Sequence, residues 1–356
     1  MYSDVFGRDN TLLREQIGNK KAFFLVDDGI GADAISKLAR YIEHYRINAY
    51  IKCIQGGEQV KDGLETVLET IDAMESFGID RKEKVVLVGG GAVLDMGGFA
   101  ASIAHRGIEH IRIPTTYLAQ VDAGIGTKNA VNYLGQKNFI GVFQTPQIVI
   151  VDPLFLYTLD ERQMRSGMAE SVKVALMKDK KLFELVESNY QHVLDKHLEH
   201  QPTREIMWGT IVAHLEQIHT DPYERQLARP LDFGHEWGHR LEIVTDHRLS
   251  HGEGVSIGMA IDSYISSKRG YISEDDFGRI IRLLKNIGLP TFDEAATLEN
   301  IWPGLESFRR HLGGELTISL LGGIGNKRDV HEISKAEVEE ALTYLKGIST
   351  QTFKNL

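Results

Sequence analysis

Over roughly the first 150 residues, short apolar runs alternate with amphipathic stretches. Ala22–Val26 reads as a buried strand ending at Asp27-Asp28-Gly29, and a helical pattern follows near Asp33–Tyr45. Asn48–Ile54 reads as a second strand ending at Gly56-Gly57-Glu58, with a helix pattern over Gly63–Phe77. Val85–Val88 is a third strand that runs into Gly89-Gly90-Gly91, with a helix starting near Ala92; His110–Ile113 and Ile148–Val151 are further strands. Strands alternating with helices predict an α/β arrangement, a parallel sheet covered on both faces. Ligands of such sheets bind beyond the carboxyl ends of the strands, where Asp27, Glu58, Gly89–Gly91 and Thr115-Thr116 fall.

After Asp152-Pro153 the period changes. Helical patterns cover Glu161–Met177, Lys181–Leu194, Arg204–His219, Glu253–Lys268 and Phe277–Ile287, and one apolar run, Leu316–Leu321, reads as a short strand. The pattern predicts two domains, 1–152 and a mainly helical 153–356, with the cleft between them as the default site.

Composition narrows this picture in three ways. The net charge of −10 argues against nonspecific nucleic-acid binding. The single cysteine, Cys53, permits no intramolecular disulfide and suggests a reducing compartment. The N-terminal MYSDVFGRDN has no basic-then-apolar signal pattern, and no apolar run approaches the roughly 18 residues that span a bilayer, so a cytoplasmic protein with no membrane partner is expected.

The densest chemistry lies in Leu231–Gly254, LDFGHEWGHRLEIVTDHRLSHGEG, which holds His235, His239, His247 and His251 among carboxylates. His235 and His239 are four apart and share one helix face. Imidazoles meeting a carboxylate suit a borderline-soft divalent metal, most often zinc. The stretch also contains H-E-x-x-H at His235–His239, which in a zinc protease would make both histidines ligands and Glu236 the general base. The extended protease form fails, because Glu242 and Thr245 stand where it needs Gly and His.

The first half carries the chemistry of a nucleotide pocket. Gly89–Gly91 lies between a strand and a helix, where backbone N–H groups can approach a pyrophosphate. Asp95 is a cap or a sugar contact, and Asp27 or Glu58 could hold ribose hydroxyls. The glycine-bearing loop Gln120–Asn132 brings Asp122, Lys128 and Asn132, with Lys137 and Asn138 following, a set suited to a phosphorylated, hydroxylated substrate.

GGGAVLDMGGFAASIAHRG, RIPTTYLAQVDAGIGTKNAVN, KNFIGVF, GMAESVK, LDFGHEWGH and HGEGVSIGM occur in this order, and together they resemble the dehydroquinate synthase superfamily, the sugar-phosphate cyclases. The resemblance implies an N-terminal Rossmann-like NAD-binding domain, a C-terminal helical metal-binding domain, bound NAD, one divalent metal (Zn2+ or Co2+), a phosphorylated sugar substrate and a homodimer. It makes Glu170, His235 and His251 the metal ligands and sends His239 to the substrate phosphate, which leaves Glu236 without a base role. Lys128, Asn138 and Arg106 match phosphate contacts, with Arg106 reaching across a dimer interface. Asp122 and Lys173 match substrate-hydroxyl contacts, and Asp232 and Lys137 join the catalytic group. Glu58, Lys61, Gly90, Gly91, Asp95, Thr115, Thr116 and Leu118 match NAD contacts, to which Asp27, Lys137 and Thr158 are added.

The chemistry implied is transient oxidation of a carbinol by NAD+, elimination of phosphate, return of the hydride, ring opening and an internal aldol closure. Dehydroquinate synthases hold their substrate carboxylate with a Lys and an Arg, and here His214 and Ala228 stand at those places, with Asp232 for the usual Asn. VDDGI, GEQVKD, MKDKKLFELVE and YERQLARPLDFGH are closer to the 2-epi-5-epi-valiolone synthase-like cyclases of sedoheptulose 7-phosphate. Two features depart from that group: His239 is retained, and Asn129 replaces the usual Thr after Lys128. A 3-dehydroquinate synthase, a 2-deoxy-scyllo-inosose synthase and a metal-dependent polyol dehydrogenase are the alternatives.

Overall fold

The computed structural model describes residues 4–225, 230–311 and 316–349. By its contacts the chain divides into Met1–Met164 with Leu215–Tyr223, and Arg165–His214 with Glu224–Leu356.

The first unit is built on a five-stranded sheet. Helix α1 (Leu12–Ile17) precedes β1 (Ala22–Asp27), α2 (Ala32–His44), β2 (Ala49–Ile54), α3 (Glu65–Phe77), β3 (Lys84–Gly89), α4 (Gly91–Ile103) and β4 (His110–Pro114). After the hairpin β5 (Lys128–Tyr133)–β6 (Gln136–Phe143) comes the short β7 (Ile148–Val149). The order is β2-β1-β3-β4-β7, and all pairings in that sheet are parallel. Alternation along the strands makes two apolar layers, as the pleat requires. Phe23, Leu25, Val85 and Leu87 pack with Val67, Met74 and Leu94 of α3 and α4. Phe24, Val26, Val86 and Val88 pack on the other face with Leu13, Ile17, Leu38 and Tyr41. Both faces of the central strands are therefore buried, which is why β1 and β3 read as continuous apolar runs.

In one respect the first unit differs from its sequence pattern. The glycine-bearing stretch is a single π turn, Ala119–Ala123, closed by Gly124 N–H donating to the Ala119 carbonyl at 2.8 Å, followed by the β5–β6 hairpin. The hairpin has no apolar alternation to announce it, because β6 is mostly exposed.

The second unit contains α5 (Glu161–Lys178) from Arg165 onward, α6 (Lys180–Leu194) and α7 (Gln201–Thr220) up to His214. It continues with α8 (His235–Val244), α9 (His251–Lys268), α10 (Glu274–Ile287), α11 (Leu298–His311) and α12 (Lys335–Ser349). The expected Leu316–Leu321 strand is β8 (Ile318–Leu321), paired antiparallel with β9 (Lys327–Val330), whose charged Lys-Arg-Asp start hides it from an apolar-run search. Helix α9 is buried along nearly its whole length, so its residues show no amphipathic stripe. Helices α8 and α9 lie backbone to backbone: a Cβ on Gly258 would fall 2.0 Å from the Gly234 carbonyl oxygen. Among the described residues no helix is long and apolar enough to cross a membrane.

Candidate functional site

The histidine-rich stretch folds so that its side chains meet Glu170. Ser250 caps α9 in a reciprocal capping box with Glu253, which places His251 in the first turn. Ser166 of α5 accepts the Gly252 N–H at 3.1 Å and the Ser250 hydroxyl at 3.1 Å, tying that helix start to α5. At the start of α8, Asp262 of α9 accepts from Gly234 N–H at 2.9 Å and from the Trp237 indole at 2.7 Å. These anchors fix His235 and His251 relative to Glu170, whose side chain is fully buried.

His235 Nε2 and His251 Nε2 each lie 3.6 Å from Glu170 Oε1. The other nitrogen of each ring is committed: His251 Nδ1 donates to Glu242 Oε1 at 2.9 Å, and His235 Nδ1 donates to the Phe233 carbonyl at 3.4 Å. Both Nε2 atoms therefore face Oε1, the arrangement that a divalent cation shared by the three would need. Ligands about 2.0–2.1 Å from a tetrahedral ion sit about 3.3 Å apart, so the spacing fits an N/N/O divalent site with an open fourth position. Burial, followed by the Lys173 charge, pushes the His235 imidazole well below its ordinary pKa, which keeps it neutral and able to coordinate.

His239 belongs to the same cluster. Its ring centroid is 5.0 Å from that of His235 and 5.4 Å from that of His251, and the three histidines each offer a nitrogen within 4.8 Å of the others. Geometry therefore offers two ligand sets, Glu170/His235/His251 and the three histidines. His247 lies in the turn after α8, with φ 58° and its N–H on the Glu242 carbonyl. Glu236 is buried on α8, and burial followed by the nearby Asp262 charge raises its carboxyl well above the usual range. In a protease this carboxylate must stand ionised beside the metal-bound water, and burial beside Asp262 disfavours the ionised form, which weighs against the protease reading of H-E-x-x-H.

On the second oxygen of Glu170, Lys173 Nζ approaches Oε2 to 2.5 Å and His214 Nε2 lies at 4.0 Å. His214 Nδ1 donates to the Thr210 carbonyl at 3.0 Å, which orients the ring with Nε2 toward Glu170. Asp232 closes the short turn before α8, and Ala228 lies outside the described residues. Sequence reasoning missed Glu242, Asp262 and Ser166. Glu242 is seven residues, two helical turns, after His235, and that spacing was the available signal.

The first unit assembles a second set of residues. Gly89–Gly91 lies where β3 turns into α4, and Asp27 at the end of β1 accepts from Gly90 N–H at 3.4 Å and Gly29 N–H at 2.9 Å. Lys61, only 3% exposed, donates to Asp95 Oδ2 at 2.8 Å and Asn138 Oδ1 at 2.6 Å, with Glu58 at 3.9 Å. Asn132 donates to Asp62 at 3.0 Å and Glu58 at 3.4 Å and accepts the Asn138 N–H at 3.0 Å; Asn138 itself has φ 54°. One network thus joins Glu58, Lys61 and Asp95 to Asn138.

Thr115 N–H donates to the Gly89 carbonyl at 3.0 Å, and the Thr116 hydroxyl accepts the Ala119 N–H at 3.1 Å beside Leu118. Asp122 lies in the π turn, Lys128 opens β5 and Lys137 sits half-buried on β6. Two expected residues stand apart from this network: Thr158 donates to the Phe155 carbonyl at 2.7 Å, and Arg106 is exposed at φ 64° in the turn after α4.

The 3-dehydroquinate synthase N-terminal family matches residues 51–166 and the 3-dehydroquinate synthase C-terminal family matches 167–306. A 2-epi-5-epi-valiolone synthase of Actinoplanes sp. is 32% identical over 349 residues, covering 95% of this chain and 87% of that protein. A 3-dehydroquinate synthase of Thermoanaerobacter pseudethanolicus is 33% identical over 344 residues, covering 96% and 95%. The structure of a 2-epi-5-epi-valiolone synthase from Streptomyces hygroscopicus subsp. jinggangensis, with NAD+ and Zn2+ bound, superposes with a TM-score of 0.94 at 31% identity and covers 97% of this chain and 95% of that one. The chain belongs to the 3-dehydroquinate synthase family.

Proposed function

We propose that the protein is a sugar-phosphate cyclase that uses NAD+ and one divalent metal to convert sedoheptulose 7-phosphate to a valiolone-type cyclitol with loss of phosphate. The observation that carries the reading is the convergence of His235 Nε2 and His251 Nε2 on one oxygen of Glu170 while Lys173 and His214 face the other. The similar Streptomyces structure holds NAD+ and Zn2+, and the donor set here suits the same kind of ion. When bound, NAD+ exchanges a hydride with the substrate and the metal polarises the carbinol oxygen.

The chain's own residues bind and orient. Gly89–Gly91 admits the cofactor pyrophosphate to backbone N–H groups, while Lys61 holds Asp95 ready for it. Lys128, Asn138 and His239 hold the phosphate, with Arg106 serving it across a dimer interface, so the leaving group departs into positive and hydrogen-bonding surroundings. Asp122 and Lys173 fix the substrate hydroxyls. Lys173 also neutralises part of the buried Glu170 charge.

His214 supports the choice of sugar. His214 stands where a dehydroquinate synthase places a lysine, and an imidazole held to the Thr210 carbonyl does not supply a lysine's three-donor ammonium to a substrate carboxylate. A hydroxymethyl ketone needs no such clamp; a heptulosonate acid does. The overall likeness to the Thermoanaerobacter 3-dehydroquinate synthase keeps dehydroquinate synthesis as the second reading.

The test is phosphate release with NAD+ and Zn2+ or Co2+ from sedoheptulose 7-phosphate, the seven-carbon heptulosonate phosphate and glucose 6-phosphate, with absorbance at the NADH band followed in parallel. Release from sedoheptulose 7-phosphate without NADH accumulation supports the proposal. Preference for the heptulosonate reassigns the chain to dehydroquinate synthesis, preference for glucose 6-phosphate to inosose synthesis, and stoichiometric NADH to a dehydrogenase.

A further inference from the structure

Arg112 is fully buried on β4, with parallel partners on both sides: it pairs with Leu87 of β3 and Val149 of β7. Its guanidinium points into the segment that carries Asp122 and Lys128. Nη1 donates to the carbonyls of Gly126 at 3.0 Å, Gly124 at 3.3 Å and Ala123 at 3.4 Å. Nη2 donates to the Lys128 carbonyl at 3.1 Å and to Asn129 Oδ1 at 2.6 Å. Asn129, 1% exposed, completes the clasp: its Nδ2 donates to the carbonyls of Thr127 and Gln144, each at 3.1 Å, and approaches Val142 O at 3.5 Å. Space for the pair comes from Gly98 of α4, where a Cβ would fall 1.8 Å from Asn129 Oδ1.

Nothing in ordinary folding requires a cation here. That layer holds apolar residues such as Leu25, Leu87 and Val131 beside the buried His110, and burying a guanidinium is unfavourable unless its donors are used; Nη1 and Nη2 are used, while Nε makes no hydrogen bond among the described residues. What the fork achieves is geometric. Four main-chain carbonyls and one side-chain amide between residues 123 and 129 are referred to a single rigid point in the central sheet. A lysine ammonium, compact and limited to three donors, cannot span them.

We infer that Arg112 and Asn129 form a buried clasp that positions the Asp122–Lys128 segment for the sugar phosphate, so that both are positioning residues of the reaction. The inference rests on the reading of Asp122 and Lys128 as substrate contacts. It gives Asn129 a task of its own: the side chain following Lys128 faces inward as the clasp's second half.

The test uses the full chain with NAD+ and zinc, comparing Asn129→Ala and Arg112→Lys with wild type by phosphate release, NAD+ binding and amide hydrogen exchange. Removing a charge-assisted acceptor is expected to lower kcat/KM about 10- to 100-fold, chiefly through KM, with NAD+ affinity changed by less than about threefold. Amides of 123–129 should exchange faster while those of β1 and β3 stay protected. Unchanged exchange in 123–129 would overturn the clasp. Faster exchange across the whole first unit together with lost NAD+ binding would also overturn it, since that is the signature of a general core role. If Asn129→Ala does not fold, Arg112→Lys, which keeps the charge, decides alone. The exchange arm needs no turnover: a wild-type protein that releases no phosphate would sink the cyclase reading, and the clasp would still stand or fall on the exchange of 123–129.

Discussion

The two ligand sets offered by the histidine cluster make opposite predictions for His239 and His251. In the set we favour, His251 Nε2 and His235 Nε2 flank Glu170 Oε1 at 3.6 Å each, and His239 contributes nothing to the metal. Structural zinc in small four-ligand sites binds with an apparent 10–16 kcal/mol, or roughly 3 kcal/mol per ligand, about two orders of magnitude in affinity. His251→Ala should therefore weaken zinc binding by about 100-fold or more, and His239→Ala by less than about threefold. Glu242 should give an intermediate result. Its carboxylate holds the His251 Nδ1–H at 2.9 Å, and loss of such an outer partner typically weakens a metal about 10- to 100-fold, so Glu242→Gln should fall in that range. The assay is competition of each purified variant against a chromogenic chelator, with metal content measured after dialysis. Equal losses in His239→Ala and His251→Ala, with Glu170→Gln unaffected, would refute the reasoning and install the three-histidine set.

Three further outcomes follow from the same geometry. His110 is fully buried with no hydrogen-bond partner on either ring nitrogen among the described residues, and burial, then the Arg112 charge, lowers its pKa from 6.5 to about 3. The unfolded chain therefore takes up the proton first as pH falls below 6.5, and this group's stability is lost progressively between pH 6.5 and about 3. Urea titrations should show His110→Leu gaining about 2 kcal/mol relative to wild type between pH 7 and pH 5, and a pH-independent difference would contradict this. Lys61→Met leaves Asp95 and Asn138 without a shared cation and should weaken NAD+ binding about tenfold, read by cofactor fluorescence; an unchanged affinity would remove Lys61 from the cofactor site. Sedoheptulose 7-phosphate should exceed the heptulosonate in kcat/KM by about two orders of magnitude, the worth of two charge-assisted bonds, and His214→Lys should narrow that gap.

The parallel sheet was legible because β1 and β3 are buried on both faces, and an apolar run ending in a glycine turn has few other readings. Hairpin β5–β6 was not, since β6 is largely exposed and its end is held by contacts such as the Asn129 side-chain amide donating to the Gln144 carbonyl. Glu170 shows the same limit in the site. A carboxylate within a helix of mixed composition carries no mark of its partners, and only the ordered family motifs separated it from the other acids. The histidines were visible at once, but their division of labour depends on which nitrogen faces Glu170, a matter of the carbonyl of Phe233 and the carboxylate of Glu242.

The H-E-x-x-H pattern shows why spacing alone misassigns chemistry. Two histidines four apart on α8 share a face in any helix, so the motif is satisfied whatever lies opposite. In a protease the intervening glutamate must be ionised beside the metal-bound water. Here Glu236 is buried beside Asp262, which is itself committed to Gly234 and Trp237 and has its pKa raised to about 7 by burial. Two carboxyls buried near each other disfavour ionising both, and Asp262 ties the start of α8 to α9 through Gly234 and Trp237. The discriminating observation is therefore the environment of the residue between the histidines, and Glu236→Gln, which keeps the size and shape of the side chain without its charge, should leave phosphate release intact where a protease would lose its base.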